Sequence, residues 1–205
     1  MVARRVGPLD GSRKRKREMK KSEKTKQRLL EAATAEFAAH GFAGARVDRI
    51  AEAAGCNKQA IYAYFDSKDG LFDAVYNEMV VTVIASVPLD ADDLPGYAAK
   101  LAEHYDKHPE VRRLASWYEL EKAGHAPVPA AAESARKDKI AAISAAQKAG
   151  RICDRIPADL LLSLILGMTR AGPNPHQAES PSSSKECRAF RTALRDAVRR
   201  LVAKS

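Results

Sequence analysis

The sequence predicts an all-α protein of about nine helices, with a short N-terminal three-helix unit followed by a larger helical domain. Three observations predict it. Alanine is abundant and runs of β-branched residues are scarce, which favours helix. Apolar residues recur at spacings of three and four along most of the chain. The breaks between these stretches fall at glycine, proline and short polar residues suited to helix ends. With 205 residues and 45% hydrophobic composition, the chain can bury a sizeable core and is too apolar for disorder throughout.

Residues 1–21 are poor in apolar groups and rich in Lys, Arg and Gly, and read as a mobile basic arm. A first helix is expected from about Ser22, where Leu29, Ala33 and Phe37 recur at a spacing of four. Gly41 suits the left-handed position that ends it, leaving Phe42 to fold back onto the helix. A short second helix fits Val47 to Ala54, with Ile50, Ala51 and Ala54 on its apolar side and Gly55 as its stop. Asn57 is a good N-cap for a third helix from about Lys58 to Tyr64. Ser67 suits the cap of a fourth, about Lys68 to Ala85, where Asp69 meets the positive end of the helix dipole. Pro88 and the acidic Asp90–Asp93 segment break the pattern. Further helices fit about 94–107, 109–122 and 129–149, with Pro109 tolerated at a helix start. Two last helices fit about 157–170 and 185–203, joined by a Pro- and Ser-rich linker, Ala171 to Ser184, read as mobile. The domains expected are thus an arm over 1–21, a three-helix unit over 22–67 and a second domain over 68–205.

Charge is unevenly placed. Residues 1–28 hold 12 basic and 3 acidic side chains, and the rest of the chain is balanced, so the whole net charge of +9 lies at the N-terminal end. Such a patch suits a polyanionic partner, either nucleic acid or an anionic membrane surface. Cys56, Cys153 and Cys187 are far apart and have no zinc-ligand spacing, so no metal or other cofactor is expected and a reduced, cytoplasmic chain is the simplest reading. No apolar h-region follows the basic N-terminus, and the most apolar stretch, Ile156 to Met168, is too short and too interrupted to span a bilayer. No nucleophile–base pair and no Gly-rich phosphate loop is visible, so no catalytic residues are assigned and an enzyme is not expected.

Two short helices joined at Gly55 inside a three-helix unit form a helix-turn-helix, whose second helix enters the major groove. Its first turn carries Lys58, Gln59 and Ala60. Lys donates to guanine O6 and N7, Gln bonds adenine bidentately, and Ala permits close approach and contact with a thymine methyl. Tyr62, Tyr64 and Lys68 follow, with donors suited to phosphates on the groove walls. Ile61 and Phe65 should face the core.

The stretch from Thr25 to Met79 resembles the DNA-binding domain of the TetR family of transcriptional regulators. The likeness rests on Leu29-Leu30-Glu31-Ala32-Ala33, Glu36-Phe37, Gly41-Phe42, Val47, Ile50-Ala51, Ala54-Gly55, Ile61-Tyr62, Tyr64-Phe65, and Lys68 with Leu71. Each element is weak alone, but their joint spacing over some fifty residues is specific. The resemblance implies that Lys58, Gln59 and Ala60 read bases and that Tyr62, Tyr64 and Lys68 hold the DNA backbone. Two positions depart from the family's pattern. Arg46 stands where the family usually caps the second helix with Thr or Ser, and is suited to a phosphate. Asp48 stands where a polar or basic residue is common, and would repel one. Beyond Met79 the resemblance is one of helical pattern only, and the Asp93–Glu121 segment looks most like regulators of drug-export genes.

In the second domain, Tyr97, Tyr105, Trp117 and Tyr118 lie near His104, Glu119 and Glu121, a mixture suited to a pocket for a flat organic molecule. A carboxylate among aromatic faces favours a cation. The expected lining is Tyr76, Tyr105, Trp117, Tyr118, Glu121 and Met168. In the eighth helix, Leu160, Leu161, Leu164, Ile165 and Met168 cover more than one face, as in a helix buried on two sides. In the ninth, Phe190, Leu194, Val198 and Leu201 repeat at three and four. These two helices are the expected homodimer surface, as the resemblance also implies. The function expected is a repressor released from a palindromic operator in double-stranded DNA by a small aromatic or cationic effector. The alternative is an architectural or nonspecific DNA-binding protein without a ligand.

Overall fold

The computed structural model describes residues 10–122, 129–172 and 184–204. All of their regular structure is helical: α1 (Asp10–Gly44), α2 (Val47–Ala53), α3 (Lys58–Phe65), α4 (Lys68–Ser86), α5 (Leu94–Lys107), α6 (Pro109–Lys122), α7 (Ala130–Lys148), α8 (Ala158–Ala171) and α9 (Ser184–Val202). The chain divides into two compact units, Met1–Ala74 and Val75–Ser205.

The first helix corrects the expected arm. It starts at Asp10, twelve residues before Ser22, so the basic segment from there to Lys21 is helical. The reason is compositional: after Pro8 the run is dominated by Arg, Lys, Glu and Met, all good helix formers, with no further proline. Residues 1–9 of the expected arm, and residues 173–183 of the expected linker, lie outside the described residues.

Three helices and the start of α4 close the first unit around Leu29, Phe37, Ile50, Ile61, Leu71 and Phe72, all fully buried. Burying such side chains contributes roughly 1.5–3 kcal/mol each. Gly41 ends the regular part of α1 at φ 66° and ψ −179°. The positive φ agrees with its expected place at the helix end. The ψ is extended rather than left-handed helical, a combination open essentially to glycine alone. That turn sends Phe42 back onto the helix, where its ring lies 6.2 Å from Phe37 and 5.2 Å from Phe72.

In the second unit α5 is the central helix. Leu94, Tyr97, Ala98, Leu101, Ala102 and Tyr105 are all buried, and α6, α8 and α9 pack against it. Asp93 caps α5 by accepting from the Gly96 amide at 2.8 Å, a role hidden inside what reads from sequence as an acidic break. Leu161, Leu162 and Ile165 of α8 and Leu194 and Val198 of α9 enter the same core. Arg191 of α9 pairs with Asp106 of α5. No described helix is long and apolar enough to cross a membrane.

Candidate nucleic-acid interface and ligand cavity

The interface is built on α3. Asn57 accepts from the Ala60 amide at 2.9 Å, so the expected cap forms and fixes where the helix begins. Ile61 and Phe65 are buried. With that face anchored, Lys58, Gln59 and Tyr62 are exposed on the rest of the helix, Tyr62 at 44%. Ala60 is half-buried.

The helix before it is held by a residue that sequence reasoning missed. Arg46 provides no side-chain cap for α2. Glu36 of α1 does that work: its Oε1 accepts from the Arg46 amide at 2.8 Å and from Arg49 Nε at 2.7 Å, while its side chain is only 10% exposed. Burial pulls the Glu36 pKa upward, but the bonds from Arg49 and the Arg46 amide outweigh it and hold the carboxyl below its usual range. The Arg46 side chain itself is exposed.

Three more expected contact residues have partners inside the protein. Asp48 lies 3.0 Å from the Lys58 ammonium, and this bond raises the lysine pKa. Tyr64 shares a hydrogen bond of 2.9 Å with Ser22 of α1. Lys68 sits over the Phe42 ring, 4.8 Å from its centroid, and donates to the Ala43 carbonyl at 3.5 Å. Its start-of-helix position is fixed by Ser67, which accepts from the Gly70 amide at 2.9 Å. Tyr64 and Lys68 are therefore packed groups as much as surface donors, because a half-buried hydroxyl or ammonium finds the nearest acceptor.

The second unit holds a cavity of about 560 Å³, within the range of sites for drug-sized molecules. Helices α4 to α8 line it. Of the six residues expected there, Tyr76, Tyr105 and Tyr118 line it, and Trp117, Glu121 and Met168 do not. Helical spacing explains the misses: Tyr118 turns toward the cavity, which points its neighbour Trp117 to another side of α6, and Met168 packs on the hydrophobic core instead. Tyr76 and Tyr118 stack face to face, with centroids 3.6 Å apart and 8° between their planes. Burial raises both the Tyr76 and Tyr105 phenols, Tyr105 to about 12.

Two basic groups of the wall, Lys139 and Arg170, were also missed. Lys139 of α7 points its ammonium at the Tyr97 hydroxyl, 3.0 Å away, and burial holds its pKa below the usual lysine range. Arg170 pairs with Glu119 at 2.7 Å. Lys139 lies on a polar stretch of α7 and Arg170 in the last turn of the apolar α8, both of which read from sequence as solvated charges, and only the packing of α7 on α8 brings them to one wall.

Comparison with known proteins agrees with this arrangement. Residues 29–75 match the family model described as "Bacterial regulatory proteins, tetR family", and residues 93–200 match "Tetracyclin repressor-like, C-terminal domain". The chain is 45% identical over 148 residues to the HTH-type transcriptional repressor SCO4008 of Streptomyces coelicolor, an alignment covering 71% of this chain and 77% of that protein. It is 30% identical over 112 residues to the HTH-type transcriptional repressor NicS of Pseudomonas putida, covering 51% and 53%. Among solved structures, the putative transcriptional regulator SCO4942 from Streptomyces coelicolor superposes with a TM-score of 0.70 at 34% identity, covering 88% of this chain and 99% of that one. With its N-terminal helix-turn-helix and its C-terminal helical domain both matched, the chain belongs to the TetR family of DNA-binding transcriptional regulators.

Proposed function

We propose that the chain is a cytoplasmic, homodimeric repressor that binds a near-palindromic operator and leaves it when a small molecule enters the cavity of the second unit. The observation that carries this reading is the geometry of α3. One face is buried through Ile61 and Phe65, and the opposite first turn presents Lys58 and Gln59 to solvent. In this reading Lys58, Gln59 and Ala60 meet base edges, and Arg46, Tyr62 and Lys68 meet phosphates. Tyr64 acts mainly through Ser22, by setting how α3 lies on α1.

Dimerisation is supported by what α8 and α9 leave outside the core. Leu160 and Leu164 of α8 are 54% and 47% exposed, an apolar pair one turn apart. Ala189, Ala193 and Ala197 of α9 are also at least partly exposed, at a spacing of four. We assign these outward faces to the subunit interface, in place of Leu161, Ile165, Leu194 and Val198, which the core of a single chain already buries.

The test is titration of a labelled duplex carrying the inverted repeat nearest the chain's own gene, against a random duplex of the same length. The expected preference is several kcal/mol. Equal affinities at every salt concentration would favour an architectural DNA-binding protein instead.

A further inference from the structure

We infer that the molecule entering this cavity is an amphipathic anion: a carboxylate, sulfonate or similar acid on a flat apolar body, seated with its charge on Lys139. The inference rests on the reading of the cavity as an effector site and names the chemistry it selects.

The charges of the wall carry it. The described lining holds four basic residues, Lys122, Arg136, Lys139 and Arg170, and one acidic residue, Glu119. Glu119 is engaged by Arg170 at 2.7 Å, so its charge is answered before any ligand arrives. Lys139 is different. Among the described residues no carboxylate pairs with it, and its hydrogen bond there is to the neutral Tyr97 hydroxyl at 3.0 Å. Tyr97 is 1% exposed, and burial keeps its phenol protonated far above neutral pH. An ammonium has three N–H groups, and this one commits a single N–H to Tyr97. A partly buried ammonium without a counter-ion carries a desolvation cost, and an anion placed on it recovers that cost. A cation entering the same space would meet a wall of like charge. The rest of the lining is apolar, with the stacked Tyr76 and Tyr118 rings as a flat ledge. Body and charge of the ligand are thereby both specified.

The test uses the full-length protein and three probes on one skeleton: anilinonaphthalenesulfonate, neutral phenylnaphthylamine, and a naphthyl trimethylammonium cation. Binding is read by probe fluorescence without DNA. The sulfonate should bind roughly ten- to a hundredfold tighter than the neutral probe, the range of a charge-assisted hydrogen bond. Lys139→Met should abolish that preference while leaving the neutral probe's affinity within about twofold. Lys100→Met, on the exposed side of α5, should leave the preference intact. Tyr97→Phe, which keeps the lysine and removes its hydroxyl partner, should retain the preference and serves if Lys139→Met does not fold. Equal affinity for all three probes, or tighter binding of the cation, overturns the inference, the latter by making Glu119 the anchor. So does a preference that survives in Lys139→Met. A separate operator titration with saturating sulfonate probe tests the effector reading. A Lys139-dependent anion site that leaves operator affinity unchanged upholds the anion assignment and removes its regulatory role.

Discussion

The Lys58 ammonium lies 3.0 Å from the Asp48 carboxylate, so the first basic residue of the recognition helix is held by the helix before it. If α3 is the recognition helix proposed above, Asp48 does two things there: it fixes the direction of Lys58, and it places a negative charge close to the phosphates. Asp48→Asn should release Lys58 and remove that repulsion. Affinity for all duplexes should rise by roughly two- to tenfold, while the ratio of operator to random duplex falls. Competition titration on both duplexes reads the two numbers. A rise confined to the operator would mean that Asp48 does not face the backbone.

The two kinds of DNA contact separate by mutation. Gln59→Ala should cost roughly 1–3 kcal/mol on the operator and much less on a site changed at the base it reads. Tyr62→Phe and Lys68→Ala should weaken every duplex by similar factors. Lys68→Ala should also flatten the dependence on salt by about 0.9 log–log units, the share of a single neutralised phosphate. The comparison needs operator, altered operator and random duplex at two salt concentrations. Uniform weakening by Gln59→Ala would place the rotation of α3 elsewhere.

Glu36 ties the acid sensitivity of the first unit to α2. Its folded pKa lies below its unfolded value, so the stabilisation is present above the unfolded glutamate range and disappears as pH falls through the folded value. Glu36→Gln should therefore melt below the parent at pH 7, by roughly 1–3 kcal/mol, because its amide oxygen can still accept from the Arg46 amide and Arg49 but no longer carries the charge that strengthens both bonds. The gap should narrow once pH drops below the ordinary glutamate value of 4.5. Thermal melts between about pH 3 and 7 measure it. A gap that stays constant with pH would show that Glu36 acts through shape alone.

The elements were legible because their ends are local chemistry. Asn57 and Ser67 cap the helices that their positions in the sequence suggest, and Gly41 and Gly55 take the positive φ that favours glycine. The solvent-facing side of α3 was legible for the same reason, since Ile61 and Phe65 fix its rotation. What was not legible depends on residues far apart in sequence. Glu36 capping α2, Ser22 meeting Tyr64 and Lys139 meeting Tyr97 join positions 10, 42 and 42 residues apart. Nothing in a helical pattern distinguishes those polar groups from solvated ones. The cavity suffered most: aromatic residues identified part of its wall, but most of its charge comes from α7 and α8, where lysine and arginine look like surface.

The proposed subunit interface on α8 and α9 can be tested because the periodic apolar residues of these helices divide between the core and the surface. Leu194 repeats with Val198 in the manner of an interface helix, yet it is 4% exposed in the single chain and belongs to a helix packed on α5. Leu160 and Leu164 belong to the same apolar run of α8 as Leu161 and Ile165 but point outward. Charge introduced at these two kinds of position should therefore act differently. Leu194→Glu buries a carboxylate without a partner and should unfold or strongly destabilise the second unit. Leu160→Lys combined with Leu164→Lys places its charges in water if the chain is alone and in an apolar contact if it is paired. That double variant should keep its helical circular dichroism and sediment as a monomer. Operator affinity should fall steeply with it, because two linked recognition helices bind one palindrome far better than one. A folded dimer in the double variant would move the interface off α8, and a folded chain with Leu194→Glu would mean that the packing of α9 on α5 contributes little to stability.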